Sequence, residues 1–298
     1  MASVGFTTDR PTGGDGHLCC AYAGEDEWAR STVGFVQDAL AAGRQVLYLP
    51  DTAAPEAVLE RLCRAGVDAR AAADAGRLVV RRADRSHPRD LPFDPDRMVE
   101  LWERACAAAL AAGHAGLSAV DEMSWCARGT PGAERVLEYE LRLDFEVFAR
   151  LPLTVLCLYD RAVVPEDTTA LLIGAHVRRP APDGRALDAV PAADAEPPLA
   201  VTPLGDRVGL CLRGGADADT RAVLEGALAA LVRLPGPVLH LDLSGADFLD
   251  TAAVAALAAT ARSARGRGRR LVVHHSPHSL RRVAEMFPAE CDALELAP

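Results

Sequence analysis

Residues 241–253 read LDLSGADFLDTAA, an apolar strand pattern that leads into Asp250, Thr251 and an alanine-rich helix pattern. Asp and Thr suit the start of a helix because their side-chain oxygens accept hydrogen bonds from the free N–H groups of its first turn. A solvent-facing Thr251 is also a hydroxyl that can be modified. The stretch predicts a strand, a loop and a helix. It leaves open whether Asp250 and Thr251 form only a cap.

The segments around this stretch complete a small α/β domain over residues 199–298. Residues 199–214 predict a hairpin that turns at Leu204-Gly205-Asp206. Helix, strand, helix, strand and helix patterns then follow in order, as judged from the spacing of apolar residues. The predicted order is β-β-α-β-α-β-α.

The first half of the chain alternates short apolar runs with amphipathic helix patterns. Residues 44–50, 77–82, 116–122 and 153–160 predict buried strands. Strands that alternate with helices predict a mostly parallel sheet with helices on both faces. We expect a flexible N-terminus (1–15), a first domain (16–177) and a Pro/Ala linker (178–198).

Composition excludes several classes of function. The basic residues number 32, and every one is Arg. Without Lys there is no phosphate-binding P-loop for ATP, no protein-kinase site and no Schiff-base chemistry.

The net charge of -10 argues against nucleic acid or an anionic membrane as partner. No apolar run approaches the ~20 residues of a membrane span, and no signal peptide is recognised, so we expect a cytoplasmic protein that does not contact the membrane.

Two motifs give the C-terminal domain a family resemblance. Residues 212–228 (LRGGADADTRAVLEGAL) and 239–257 (LHLDLSGADFLDTAAVAAL) resemble the Gly-x-x-Asp turn and the Asp-Ser-Ser-Gly region of the STAS domain, the fold of anti-sigma-factor antagonists. In such antagonists an anti-sigma factor with kinase activity phosphorylates the Ser after the Asp. The resemblance makes Thr251 the phospho-acceptor, and places Asp217, Asp247 and Asp250 on the partner-binding surface. The family's second Ser and Gly are Ala252 and Ala253 here.

Residues 16–177 resemble the MEDS domain of sensory regulators. The matching pieces run in order through the domain: GHLCCAY (16–22), DALAAGRQVLYLPD (38–51), FDPDRMVELW (93–102), DEMSWCARG (121–129), LEYELRL (137–143) and LCLYD (156–160). The resemblance implies a RecA-like outline without a working P-loop, which agrees with the absence of Lys.

Three of these pieces fall at predicted strand ends, which in a parallel sheet meet at one rim. The ligand-binding candidates at this rim are His17, Cys19, Tyr22, Glu122, Trp125 and Tyr159. Glu122 is the strongest of them, because a carboxylate directly after a buried strand needs a partner. A zinc or haem site from His17 and Cys19 is an alternative, but the sequence predicts no metal. The cofactor stays unknown.

The sequence therefore predicts a signalling regulator and not an enzyme, since no nucleophile, base and orienting residue are recognisable together. A sensor domain with a small-molecule ligand would be coupled to an antagonist that binds an anti-sigma factor of the ATPase/kinase type. Two alternatives remain: a constitutive binding scaffold without phosphorylation, and a small-molecule or metal sensor whose STAS domain mediates assembly. The sequence leaves open whether the chain forms a homodimer.

Overall fold

A computed structural model describes residues 16–82, 92–176 and 197–297. Two five-stranded sheets follow one another along this part of the chain. The predicted flexible N-terminus (1–15) and residues 178–196 of the predicted linker lie outside the described residues.

The first sheet is parallel throughout, as predicted. Its strands are β1 (His17–Tyr22), β2 (Gln45–Leu49), β3 (Leu78–Val80), β4 (Leu117–Glu122) and β5 (Leu153–Asp160). They lie in the order β1-β5-β4-β2-β3, and each neighbouring pair is parallel. The edge strand β1 pairs with β5 and not with β2, so the chain crosses the sheet between its first two strands.

Helices cover both faces of this sheet, again as predicted. They are α1 (Gly24–Ala41), α2 (Pro55–Arg64), α3 (Ala69–Asp74), α4 (Pro95–Ala111), α5 (Val136–Glu146) and α6 (Glu166–Gly174). Buried residues of α1 to α3 pack with one face of the sheet, and those of α4 to α6 pack with the other. In α1 the buried side chains are Trp28, Thr32, Val36 and Ala39. Phe35 and Leu40 are only partly buried.

The second sheet contains the predicted hairpin and the predicted alternation of helices and strands. Its elements are β6 (Leu199–Pro203), β7 (Gly209–Ala216), α7 (Arg221–Leu231), β8 (Val238–Leu249), α8 (Thr251–Gly266), β9 (Arg270–His274), α9 (His278–Met286) and β10 (Glu295–Leu296). The order is β10-β9-β8-β7-β6, with β6 antiparallel to β7 and the other pairs parallel. The two-residue strand β10 was not predicted.

The prediction of a loop before Asp250 is wrong, because β8 continues as a strand to Leu249. Its last residues pair with β7 across two irregularities in the register, between Cys211 and Arg213 and between Gly214 and Gly215. Bulges let a strand bend while it stays paired. The small residues Ser244, Gly245 and Ala246 lie in this irregular part of the ladder.

The two sheets share a continuous apolar core through contact between α5 and α7. The helices approach closely at Gly226, where an added Cβ would lie 3.7 Å from Cδ2 of Leu137. Helix α6 also contacts β6. Helix α5 therefore lies between the first sheet and the second domain, which explains why every residue from Val136 to Asp144 is buried.

Candidate functional site

Glu140 lies at the centre of a fully buried polar cluster on the α5 side of the first sheet. Its Oε2 lies 2.8 Å from Nε2 of His17 and 3.5 Å from Nε2 of His176. The hydroxyl of Tyr159 donates to Oε1 of Glu140 over 2.7 Å. Sγ of Cys157 lies 3.6 Å from His17 Nε2 and 3.9 Å from Glu140 Oε2. We call His17, Glu140, Cys157 and His176 the buried cluster.

Four separate elements bring the buried cluster together. His17 is the first residue of β1, and Cys157 lies on the neighbouring strand β5, where Cys19 is its register partner. Alternate residues of a strand point to the same face, so His17 and Cys19 face the same side as Cys157. Glu140 comes from α5, and His176 follows the end of α6.

Burial shifts the pKa of each group in this cluster toward its uncharged form. It lowers the pKa of His17 to about 4, although the charge of Asp144 opposes the change. It lowers the pKa of His176 to about 3. Burial also raises the pKa values of Glu140 and Cys157. At neutral pH both imidazoles are therefore neutral, and their ring nitrogens offer lone pairs.

Side chains of these types can hold a metal ion. One ligand atom from each of the four residues lies within 4.8 Å of the other three. Cys19, which we paired with His17 as the alternative metal site, is buried near the cluster but does not belong to this group. Glu140 and His176 were not among the sequence candidates. No local pattern marks them, because they are 36 residues apart on different helices.

Four of the rim candidates lie at or just after the carboxyl ends of strands, but His17 begins β1, and the side chains divide between the two faces of the sheet. Glu122 ends β4 and accepts hydrogen bonds from the Tyr48 hydroxyl (2.6 Å) and the Asp51 N–H (2.9 Å). Arg61 Nη1 lies 3.9 Å from its Oε1. Burial and the nearby Glu122 charge raise the pKa of Tyr22. His17, at the amino end of β1, lies on the other face with Tyr159.

Trp125 lies in a short 3-10 helix (Met123–Ala127) directly after β4. Its ring packs against Phe93, with the centroids 4.7 Å apart. The side chain is 5% exposed. The structure therefore places Trp125 in the apolar core beside α4 and α5.

Asp121, next to Glu122, gives the first domain a pH-dependent stability. Its side chain is buried, and its Oδ2 has no hydrogen-bond partner among the described residues. Burial, and then the charge of Glu140, raise the pKa of Asp121 well above its usual 3.8. The folded protein therefore holds this proton more tightly than the unfolded chain does.

We expect Asp121→Asn to reduce the loss of stability as the pH rises from about 4 through the neutral range. A carboxyl whose pKa is raised by folding stabilises the protein at low pH, and that stability is lost as pH rises, by up to about 1.4 kcal/mol per pH unit. Urea unfolding of both proteins across this pH range measures the difference. Asp38→Asn, at an exposed position of α1, is the control. Parallel curves for wild type and Asp121→Asn would contradict the prediction.

In the second domain, Asp250 caps α8. Its Oδ1 accepts a hydrogen bond from the Ala253 N–H over 2.6 Å. Thr251 is the first residue of the helix and is exposed. The cap is thus made by the carboxylate of Asp250, and the Thr251 side chain faces solvent.

The two sequence motifs of this domain meet at the carboxyl ends of β7 and β8. Ala216 pairs with Leu249, and the Asp250 N–H donates to the Ala216 carbonyl over 2.9 Å. In the following turn, Asp217 Oδ1 accepts from the Asp219 N–H (3.0 Å) and from the Thr220 N–H (3.2 Å). The Asp217 turn therefore adjoins the start of α8.

An exposed aromatic ring lies beside these residues. Phe248 is 55% exposed, and the preceding Asp247 is also exposed. Phe248 was not among the sequence candidates, because its position was predicted to lie in a loop. We call Asp217, Asp247, Phe248, Asp250 and Thr251 the Thr251 surface.

Ion pairs join the two domains at α4 and α5. Nη1 of Arg233, after α7, lies 2.9 Å from Oδ2 of Asp96 in α4, and its Nε lies 3.3 Å from Oε1 of Glu138. Glu138 is buried and also accepts a hydrogen bond from Arg142 at 3.0 Å. Helix α5 thus carries Glu140 of the buried cluster and, two residues earlier, a carboxylate that binds the second domain.

Two family models match separate parts of the chain. Residues 16–177 match the family model described as MEDS, the methanogen/methylotroph DcmR sensory domain. Residues 199–290 match a model described as Mlab, STAS domain. No curated protein matches the chain. No helix among the described residues is long and apolar enough to cross a membrane.

Two solved structures are similar to part of the chain. An anti-sigma factor antagonist from Mycobacterium paratuberculosis is 28% identical, with a TM-score of 0.29; the match covers 34% of this chain and 84% of that one. The unphosphorylated anti-sigma factor antagonist SpoIIAA is 14% identical, with a TM-score of 0.27; the match covers 34% of this chain and 88% of that one. The MEDS match spans more than half of the residues. The chain therefore belongs to the MEDS family, and a STAS domain follows its MEDS domain.

Proposed function

We propose that the protein is a signalling regulator whose STAS domain binds an anti-sigma factor and whose MEDS domain responds to a small molecule. The observation that carries the proposal is the Thr251 surface. It brings the two motifs typical of antagonists, the Asp217 turn and the Asp250-Thr251 helix start, into contact at one edge of the sheet. The exposed Phe248 ring gives this surface an apolar contact of the kind that anchors protein interfaces.

Phosphorylation of Thr251 is the proposed switch. A phosphate adds about -1.5 to -2 charges at neutral pH. The N-terminus of α8 tolerates that charge, because free N–H groups and the helix dipole favour an anion there. Asp217, Asp247 and Asp250 already make the surface acidic, and the phosphate adds further negative charge to it. The phosphate would therefore change how a partner is recognised, while the domain stays folded. The phosphate would come from a partner kinase, since the chain has no Lys for a P-loop or a kinase site.

Helix α5 offers a route from the first domain to this surface. It contacts the first sheet through Glu140 and contacts α7 of the second domain. The Asp217 turn directly precedes α7. A ligand that shifts α5 would therefore act on the helix that follows the turn.

The experiment measures binding of the full-length protein to an ATPase-type anti-sigma factor from the same organism, with phosphosites mapped after incubation with ATP. We expect Thr251→Glu to weaken binding by at least about tenfold, because a new charge at an interface repels a partner fitted to the neutral surface. Thr251→Val keeps the shape of the side chain, so it should bind like the unmodified protein and accept no phosphate at this position. Thr260→Val, later in α8, is the matched control.

The outcomes separate the proposed switch from its alternatives. Binding that is equal in wild type and Thr251→Glu, with no phosphate on Thr251, would support a constitutive scaffold. Absence of binding to every ATPase-type anti-sigma factor of the organism would overturn the proposed partner.

A further inference from the structure

We propose that His17, Glu140, Cys157 and His176 form a closed site for one Zn²⁺ ion, with the chain supplying all four ligands. The residues offer two imidazole nitrogens, one thiolate sulfur and one carboxylate oxygen, which are the donor types that bind zinc in proteins. Calcium and magnesium prefer sites built from oxygen donors. This inference does not depend on the proposed anti-sigma partner.

The distances between the donor atoms suit a tetrahedral ion. Bonds of about 2.0 Å to nitrogen and oxygen and about 2.3 Å to sulfur give tetrahedron edges of roughly 3.3 Å for N···O and roughly 3.5 Å for S···N or S···O. His176 Nε2 lies 3.5 Å from Glu140 Oε2, and Cys157 Sγ lies 3.6 Å from His17 Nε2 and 3.9 Å from Glu140 Oε2. The distance of 2.8 Å between His17 Nε2 and Glu140 Oε2 is shorter than the tetrahedron edge for N···O and is typical of a hydrogen bond between these two atoms.

The orientation of His176 is a second, independent observation. Its Nδ1 lies 2.8 Å from the Leu172 carbonyl oxygen, which can only accept a hydrogen bond, so Nδ1 carries the proton. The lone pair of the neutral ring is then on Nε2. This atom is buried, makes no hydrogen bond with any described residue and lies near the carboxylate of Glu140, which is also an acceptor. A cation between the two acceptors would satisfy both.

Outer contacts hold the ligands as in known zinc sites, where ligating groups are fixed by further hydrogen bonds. The Leu172 carbonyl fixes the ring of His176, and the Tyr159 hydroxyl binds the Glu140 oxygen that does not face the histidines. The Phe148 ring stacks on His17, with the centroids 5.0 Å apart. Each ligand except Cys157 thus has a neighbour that fixes its orientation.

The charges also balance. A carboxylate and a thiolate carry two negative charges, and a divalent cation cancels them in a site from which water is excluded. Binding forms four coordinate bonds and releases the thiol proton of Cys157 to solvent, without electron transfer. Because all four ligands are buried, we expect the ion to enter as the chain folds and to exchange slowly afterwards.

The test measures metal in the full-length protein produced in medium supplied with Zn²⁺ or with Co²⁺. We expect one equivalent of zinc in the wild type after dialysis against a chelator. The cobalt form should show the near-ultraviolet charge-transfer band of a thiolate ligand. Cys157→Ser and His176→Gln should lose the zinc, and Cys157→Ser should lose the band. Cys106→Ser is the matched control, since Cys106 is as buried as Cys157 but lies outside the cluster.

Three results would overturn the proposal. One is a folded wild type that holds no zinc. Another is a zinc content that is the same in Cys157→Ser as in wild type. The third is a cobalt form without the thiolate band, which needs no variant and so is independent of any folding defect. Circular dichroism in the near ultraviolet checks that each variant is folded.

Discussion

Trp102→Ala should lower the free energy of unfolding by about 3–5 kcal/mol, the range for a large aromatic side chain removed from a core. Trp102 is fully buried on α4. Its indole N–H donates to the Tyr139 hydroxyl over 2.8 Å. The change leaves a cavity and also leaves the Tyr139 hydroxyl without its donor, and both effects destabilise the protein. Urea unfolding followed by circular dichroism measures the difference.

Leu110→Ala is the control for this prediction. Leu110 lies on the same helix, but 45% of it is exposed. We expect a change within about 0.5 kcal/mol, as is usual for surface positions. If the two variants were equally stable, Trp102 would not hold α4 against α5, and the described packing of the first domain would be incorrect. Helix α5 carries Glu140, so Trp102→Ala should also reduce zinc retention.

Gly209→Ala should destabilise the second domain by about 3 kcal/mol, at the upper end of the range for added atoms in a packed interior. A Cβ at residue 209 would lie 2.0 Å from the carbonyl oxygen of His240 on the neighbouring strand. Backbone atoms of a paired strand cannot move without breaking the ladder between β7 and β8. These two strands end at the Asp217 turn and at Leu249, so binding through the Thr251 surface should fall as well.

Gly215→Ala on the same strand is the matched control. Its Cβ would meet no heavy atom within 4 Å. We expect almost no loss of stability, since the position has room and its φ is not in the left-handed region. Thermal unfolding of both variants, with anti-sigma binding measured below the transition, separates the two positions. Equal melting temperatures would show that β7 and β8 are not as close as the structure has them.

The pattern of apolar residues predicted most of the fold correctly. Short apolar runs identified β2, β4 and β5, and the spacing of apolar residues indicated helices between them, because both patterns depend on local backbone geometry. The pattern failed for β8 after Ser244. There the small residues that suggest a loop are retained in a strand by bulges, and bulges depend on the neighbouring strand.

The residues of the candidate site were likewise predicted only in part. Asp217, Asp250 and Thr251 were predicted from motifs, and the structure brings both motifs to one edge of the sheet. Glu122 was expected to need a partner, and it binds Tyr48 and the Asp51 N–H. Phe248 was missed, because its exposure follows from the path of β8 and not from its own chemistry.

By itself the sequence determined the two α/β domains, the absence of any Lys-dependent site and the hydroxyl at the start of α8, since each of these depends on composition or on residues close together in the chain. Only the tertiary structure decided which of the buried polar residues meet. His17 and Cys157 are 140 residues apart, yet they lie on neighbouring strands because β1 pairs with β5. Glu140 and His176 reach them only because α5 and α6 pack on that face. Such meetings are fixed by strand order and helix packing, which no local pattern of residues encodes.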